Sequence, residues 1–575
     1  MRLIEAVRIC KQPPPHGATP FRVGLACGFT PLHLRTFLEA ELKVRLPGRH
    51  VAVSTGIYGD LLGNLARQET SEAAVAVIEW PDLDPRLGLR VLGGWKRADI
   101  EDICREAPRR LEVIERELER LASYGVSVGV SLPTLPLPPI PETYAWRAGS
   151  AEVNLREAVA RFAAAVTRNA RLHLVSEVQL ASLSPLSERL DVRSEIAVGF
   201  PYTLSHAAAL AEQLARLLAP DQAKKGLITD LDNTLWSGIA GEIGPEAVAW
   251  DLENHALEHG LYQQMLAALA DRGVLLAAAS KSEPAPIESA LARADLRLPG
   301  QLLFPIEAHW NPKSESVGRI LEVWNIGADA VVFVDDSPME LDEVQRAFPA
   351  IQCLRFPAGD PGAVWELIGR LRDLFAKPTV SEEDLLRAES IRRNVERRRD
   401  AAGAAVSTEE FLAQAEAVLR YSHNPSDPRA LELINKTNQF NLNGRRYTEA
   451  EWAAYLRDPD VRLCVVHYED KYGPLGKIAV VSGRQIGASF RVENWVMSCR
   501  AFSRRIEHQM LARLFEESGA AEILFEFAPT ARNAPLRSFL AEMTGRLPEG
   551  DVVLSRAEFE RRRPALYHHV ETVAE

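Results

Sequence analysis

The chain has 575 residues, 46% of them hydrophobic, so length and composition predict about three or four domains with ample core. A formal charge of −12 and an isoelectric point near 5.7 argue against a generic nucleic-acid binder, whose footprint would be basic. No basic amino-terminal stretch leads into an apolar run, and no apolar run could span a bilayer. A cytoplasmic protein without a membrane partner is therefore expected. The six cysteines (Cys10, Cys27, Cys104, Cys353, Cys464 and Cys499) lack CxxC spacing, which speaks against zinc and against a disulfide framework.

Residues 1–222 read as an α/β region. Phe21–Cys27, Val75–Trp80 and Val126–Val130 have strand composition, and Leu111, Ile114, Leu118 and Leu121 make one apolar helix face that Gly125 stops. The proline-rich stretch Pro133–Pro141 is too short to link independent domains and predicts an ordered loop. A helix over Ser205–Leu218 ends at Pro220, which makes Asp221–Lys225 a domain boundary. The loops Tyr58-Gly-Asp60 and Trp80–Asp84 could line a pocket or serve only as turns.

The segment 223–378 carries the chemistry. Leu227–Trp236 reads as an apolar strand that stops at an aspartate pair, and alternation sends Asp230 and Asp232 toward the same side of the strand's carboxyl end. One carboxylate can attack phosphorus while its neighbour handles the proton, and an anionic phosphate then requires a cation, hence a metal. Three further segments follow in order. A strand ending at Ser280-Lys281 offers a hydroxyl and an ammonium, Asn311-Pro-Lys313 puts a lysine at a helix start, and Val331–Pro338 is another strand ending in acids, Asp335 and Asp336. Hard oxygen ligands beside a phosphate favour Mg²⁺. Acids at strand ends are also ordinary solvated turns, so it is the ordered set that carries the functional reading. Only about thirty residues separate Ser280 from Lys313, which leaves no room there for a large cap domain.

Beyond Pro378, in 379–575, a helix with Arg387, Arg392, Arg393, Arg397, Arg398 and Arg399 reads as a solvated face or as a docking surface for an acidic partner. Ser407-Thr-Glu-Glu410 makes a capping box. Strands are expected over Val461–Tyr468, Ile478–Ser482, Val492–Ser498 and Ile523–Phe527. Cys499 ends the third of these before the turn Arg500–Arg505. A helix start nearby would favour its thiolate, although a small buried hydrophobe is the usual fate of a free cysteine; His508 on that helix is expected to face solvent.

At Asp230, Asp232, Ser280, Lys313, Asp335 and Asp336 the chain resembles the haloacid-dehalogenase (HAD) superfamily of phosphoryl-transfer enzymes, over about residues 224–378. That resemblance implies a Rossmann-like sheet, Asp230 as nucleophile, Asp232 as general acid/base and Lys313 as charge neutraliser. It further implies that Thr234, Ser280, Lys281 and Asn311 bind substrate, and that Asp230, Asp232, Asp335 and Asp336 surround Mg²⁺. The string Asp-Leu-Asp-Asn-Thr-Leu-Trp, followed by the glycine-rich flap Trp236–Gly244, is similar to the FkbH-like subfamily, as is Leu433–Leu442. In that subfamily the leading region resembles the SGNH-hydrolase fold. Thr30 then stands where the nucleophilic serine would be, without an Asp-x-x-His partner, so a non-catalytic scaffold is implied. The trailing region resembles the GNAT acetyltransferase fold, but Ser503 and Arg505 stand where small residues would let coenzyme A phosphates approach the backbone.

The fold class expected is therefore multidomain α/β: SGNH-like 1–222, HAD-like 223–378 and GNAT-like 379–575. The function the resemblance implies is removal of phosphate from 1,3-bisphosphoglycerate or a similar small three-carbon acyl phosphate. The glyceryl group would then load, through Cys499, onto the phosphopantetheine of an acyl carrier protein. The alternatives are a plain small-metabolite phosphatase with structural flanking domains, a non-catalytic scaffold and a coenzyme-A-dependent acyltransferase.

Overall fold

The computed structural model describes residues 1–572 except 379, 382–383, 388, 394–407, 426, 472, 499–500 and 503. The chain forms two compact units. One comprises Met1–Asp221 with Thr448–Tyr455, the other Gln222–Tyr447 with Leu456–Glu575.

In the first unit five parallel strands, β1 (Thr19–Cys27), β2 (Arg49–Thr55), β3 (Ala73–Val77), β4 (Ser127–Ser131) and β5 (Leu172–Leu174), lie in the order β2-β1-β3-β4-β5. This is the flavodoxin-like doubly wound order. Strand alternation divides β3 between two cores: Ala74 and Ala76 pack on the helix Arg97–Ser123, while Ala73, Val75 and Val77 pack with the helices Leu32–Arg45 and Leu204–Leu218. β3 stops at Val77 rather than reaching Trp80. Glu79 and Asp82 form a capping box that turns Trp80–Leu83 into a short helix. The segment Thr448–Tyr455, distant in sequence, joins this unit through Arg49–Glu451 at 2.8 Å and Arg171–Glu449 at 2.5 Å.

The second unit holds two sheets. β6 (Gly226–Thr229), β7 (Leu275–Ser280), β8 (Leu303–Ala308), β9 (Val331–Asp335) and β10 (Gln352–Arg355) are all parallel, in the order β10-β9-β6-β7-β8. Read from β8, this is the Rossmann order 3-2-1-4-5, with the topological switch point between β6 and β9, where such sheets open a crevice at their carboxyl ends. Gly226 opens β6 because a Cβ there would sit 2.4 Å from the buried Trp324 ring.

The other sheet is mostly antiparallel. It comprises β11 (Val418–Ser422), β12 (Phe440–Asn441), β13 (Val461–Asp470), β14 (Gly473–Ile486), β15 (Ser489–Met497), β16 (Glu522–Phe525), β17 (Val552–Ser555) and β18 (His569–Thr572). The order is β17-β16-β15-β14-β13-β11-β18. β15 pairs in parallel with β16 only from Ser489 to Val492. Further along, β12 takes the same role, Phe440 opposite Met497 and Asn441 opposite Val496, and the Leu442 amide donates to the Trp495 carbonyl at 3.0 Å. The chain thus completes the β15 edge with its own backbone.

Candidate phosphoryl-transfer site

The site forms at the switch point of the β6-β9 sheet. β6 delivers Asp230, whose amide donates to the Val334 carbonyl at 2.9 Å, and β9 delivers Asp335 and Asp336 from the adjacent strand end. Lys313, at the first position of the helix Lys313–Trp324 after Pro312, is 2% exposed and donates to Asp230 Oδ1 at 2.7 Å and Asp335 Oδ2 at 2.6 Å. Its third partner, Glu340 at 2.5 Å, also takes Lys281 at 3.3 Å; Lys281 reaches Glu343 as well, at 3.5 Å. Two ammonium groups therefore sit among four carboxylates.

Burial pushes the carboxyls of Asp230 and Asp335 above the ordinary range, against the pull of Lys313, and their mutual repulsion adds to the rise at Asp335. Burial likewise raises Asp336. Burial opposes the charge on Lys313, yet Asp230, Asp335 and Glu340 together outweigh it and hold the ammonium well above its usual value. Glu340 is held low by Lys313 and Lys281 in spite of its own burial. Three carboxylates crowded enough to resist ionisation are a cation's natural partners. Asp230, Asp335 and Asp336 each offer an oxygen, all within 4.8 Å of one another, so they could hold a metal.

Asp232, expected among the acids around the metal, stands apart from that cluster. Its Oδ1 accepts from Trp236 Nε1 at 3.0 Å and from the Ala240 amide at 2.9 Å, and its Oδ2 accepts from Ser282 Oγ at 2.5 Å. The flap after β6 supplies the first two donors. Gly238 at φ +100° folds the flap back so that its amide meets Asn233 Oδ1 at 3.1 Å. This carboxylate is positioned by neutral donors and, among the described residues, carries no ammonium partner, an arrangement suited to moving a proton.

The four residues expected at substrate fall in different places. Ser280 ends β7 and is 3% exposed, and Lys281 follows it beside Glu340 and Glu343. Asn311 is exposed, with Nδ2 donating to Glu315 at 3.3 Å. Thr234 is wholly buried, its carbonyl meeting His259 Nδ1 at 3.0 Å and its hydroxyl oxygen buried without a hydrogen-bond partner among the described residues. The sequence reading missed Glu340, Glu343 and the contact of Ser282 with Asp232. Glu340 reaches the site from the first turn of the helix Pro338–Ala347, which follows directly on the acids that end β9.

Among the other expectations, Cys499, Arg500, Ser503, the Arg397–Arg399 run and Ser407 lie outside the described residues. Arg387, Arg392 and Arg393 are not simply solvated: they reach Asp384, the Gln301 carbonyl with the Phe304 ring, and Glu389. Arg505 has a left-handed backbone at φ +56°, a conformation that favours glycine, and spends its guanidinium on the Ala565 carbonyl at 2.9 Å and Glu409 at 3.5 Å. His508 is buried, edge-on to Phe539 at 4.9 Å, rather than facing solvent; the amphipathic period of Ile506–Ser518 turns it inward with Met510 and Leu511. Thr30 donates to the Val198 carbonyl at 2.8 Å. No described helix is long and apolar enough to cross a membrane.

No protein-family model matches the chain, and no curated protein matches it. Among solved structures it is similar to the N-terminal part of the protein BF1531 from Bacteroides fragilis, described as containing a phosphatase domain complexed with Mg. That likeness has 18% identity and a TM-score of 0.52, covering 66% of this chain and 100% of that one. A nourseothricin acetyltransferase structure matches at 17% identity over 24% of this chain and 95% of its own, with a TM-score of 0.16, too low to support a comparison of folds. The chain is a multidomain α/β protein that shares its fold, along 66% of its length, with the N-terminal part of a protein that contains a phosphatase domain.

Proposed function

We propose that the chain is a Mg²⁺-dependent, FkbH-like enzyme of the HAD type, which removes phosphate from 1,3-bisphosphoglycerate or a similar three-carbon acyl phosphate and passes the glyceryl group to an acyl carrier protein. The observation that carries the phosphoryl half is Lys313 bridging Asp230 and Asp335 at 2.7 and 2.6 Å at the sheet's switch point. The phosphatase domain of the B. fragilis protein, solved with Mg, supports the choice of ion. Asp230, Asp335 and Asp336 would hold it, and when bound it would offset the charge of the phosphate.

Atom balance decides which phosphate Asp230 attacks. Attack on the phosphorus of a mixed carboxylic–phosphoric anhydride would expel the acyl group as an unactivated carboxylate, which no thiol could then accept. Thioester formation instead needs a thiolate to attack the acyl carbon, breaking its bond to the phosphate oxygen and expelling inorganic phosphate. Asp230 is left the phosphate ester at the other end of the three-carbon unit. Its carboxylate oxygen bonds to phosphorus, the ester oxygen departs with a proton from Asp232, and water, deprotonated by Asp232, then cleaves the aspartyl-phosphate. Lys313 neutralises Asp230 and the incoming phosphate throughout. Cys499 is our candidate for the first thiol and the carrier phosphopantetheine for the final one. In this reading the first unit serves as scaffold and the last sheet, GNAT-like in resemblance, handles the acyl group.

The test is intact mass of enzyme and phosphopantetheinylated carrier after incubation with Mg²⁺ and enzymatically generated 1,3-bisphosphoglycerate. A glyceryl adduct on the carrier that is lost in Cys499→Ala, and that becomes a phosphoglyceryl adduct in Asp230→Asn, is the expected result. Phosphate release with neither protein acylated would replace this reading with a plain phosphatase.

A further inference from the structure

The second unit contains a cavity of about 370 Å³ far from Asp230. Lys225, which immediately precedes β6, and Ala330, which immediately precedes β9, line it, so it lies at the amino-terminal edge of the parallel sheet, whereas Asp230 and Asp335 lie at the carboxyl edge. At about 3.3 Å per strand residue the separation is roughly 16 Å. Across from that edge the cavity is closed by the helix Pro428–Lys436, the following Thr437–Gln439 and the end of β15 at Met497-Ser498.

Its lining is chemically graded. Lys225, Arg387, Arg429, Lys436 and Arg532 bring five positive charges, against the carboxylates of Asp329 and Glu432. Glu432 is shared by Arg429 and Lys436 at 2.5 and 2.6 Å, Asp329 meets Arg532 at 3.0 Å, and Arg387 is paired with Asp384 outside the lining, which leaves the lining a modest excess of positive charge. Lys436 and Arg532 are exposed. The buried side chains of Trp324, Ile391, Leu433 and Met497 form apolar wall, and the side chains of Asn325, Thr437, Asn438, Gln439 and Ser498 add amides and hydroxyls. A ligand to match carries an anion at one end and an apolar body interrupted by amide groups. The volume lies in the range of small-molecule pockets.

We infer that this cavity seats a phosphopantetheine arm, its phosphate on the exposed cations and its amide-bearing body against Asn438, Gln439 and Ser498. The inference rests on the carrier-loading reading and gives that reading a second site. The backbone supports the placement. An extended, amide-bearing ligand could otherwise have paired with the β15 edge, but Phe440, Asn441 and Leu442 already occupy that edge beyond Val492. The segment that closes the edge is continuous with Lys436–Gln439, which lines the cavity. Acyl transfer and ester dephosphorylation then occur at opposite edges of one sheet, so the three-carbon unit must move between them.

The test is titration calorimetry on the full chain with 4′-phosphopantetheine, pantetheine, coenzyme A and holo-carrier, for the wild type and for the double variant Lys436→Gln, Arg532→Gln. The expected result is phosphopantetheine binding at least tenfold tighter than pantetheine, with that preference lost in the variant. Hydrolysis of a simple aryl phosphate at Asp230 should not change. Binding of holo-carrier but not coenzyme A would give the arm's source as the carrier, and equal binding would give it as free cofactor. Absence of binding, equal affinity for the two small probes, or an unaltered variant would overturn the inference. If the variant still loads the carrier with wild-type kinetics, the cavity assignment falls and the carrier reading stands. If phosphopantetheine binds as expected but no adduct forms on any carrier, the carrier reading falls instead.

Discussion

Lys313 is the residue on which the candidate site depends, because it is one buried cation shared by three carboxylates. Removing it leaves Asp230, Asp335 and Glu340 without that partner in a poorly solvated place. Lys313→Met should therefore cost about 3–5 kcal/mol of stability in metal-free buffer, the cost of breaking a buried pair, with part regained on adding Mg²⁺. Denaturant melts with and without the ion check this; a variant as stable as the wild type would mean that Lys313 is not the counter-charge. Asp230→Asn removes the proposed nucleophile while keeping the side chain's shape, so hydrolysis of a simple phosphate ester should fall at least about 10⁴-fold with the fold intact. Activity within tenfold of the wild type would sink the aspartyl-phosphate route. Most of this site was legible in the sequence because strand ends advertise themselves: an apolar run that stops at an acid places that acid. Glu340 was hidden because it reaches the site from a helix, and nothing local marks which helical acid turns inward.

At the scale of elements, β12 is the least conspicuous and the most consequential. It is two residues long, too short for any periodicity to announce it, and its strand character exists only because β15 offers an unpaired edge beyond Val492. Phe440 anchors it, 3% exposed and within 6.1 Å, ring to ring, of Trp495, Phe502 and Phe539. The truncation Phe440→Ala should cost about 3–5 kcal/mol. It should also speed hydrogen exchange at the Leu442 amide, which β15 holds. Exchange as slow there as in the wild type would show that the pairing stands without its anchor. β13 and β15 were easier to foresee, since they carry aromatic and β-branched runs and their boundaries moved by no more than three residues, whereas β14 runs from Gly473 to Ile486, well beyond the expected Ile478–Ser482. What sequence could not supply was the pairing partner, because β-sheet register is decided by residues far apart along the chain.

At the scale of the whole molecule, two compact units with separate cores predict two unfolding transitions, and two independent handles identify them. The first handle is Mg²⁺, whose candidate ligands all belong to the second unit. Saturation at one hundred times its dissociation constant should add about 2.7 kcal/mol to that transition alone. The second handle is Asp82 in the first unit. Burial pushes its carboxyl up to about 7, with the Glu79 charge adding to the rise against its hydrogen bond from the Glu79 amide at 2.8 Å. A carboxyl whose folded pKa exceeds its unfolded one keeps its full contribution below the unfolded value, near pH 4, and loses it as pH climbs to 7. Asp82→Asn cannot ionise and can still accept that hydrogen bond. Its stability relative to wild type should therefore improve by about 2–3 kcal/mol between pH 5 and pH 8, in the first unit's transition only. Calorimetric scans at the two pH values, each with and without Mg²⁺, separate the cases. If the substitution and the ion move the same transition, or a single transition responds to both, the units unfold as one cooperative body, and stability lost around Asp82 would be felt at Asp230.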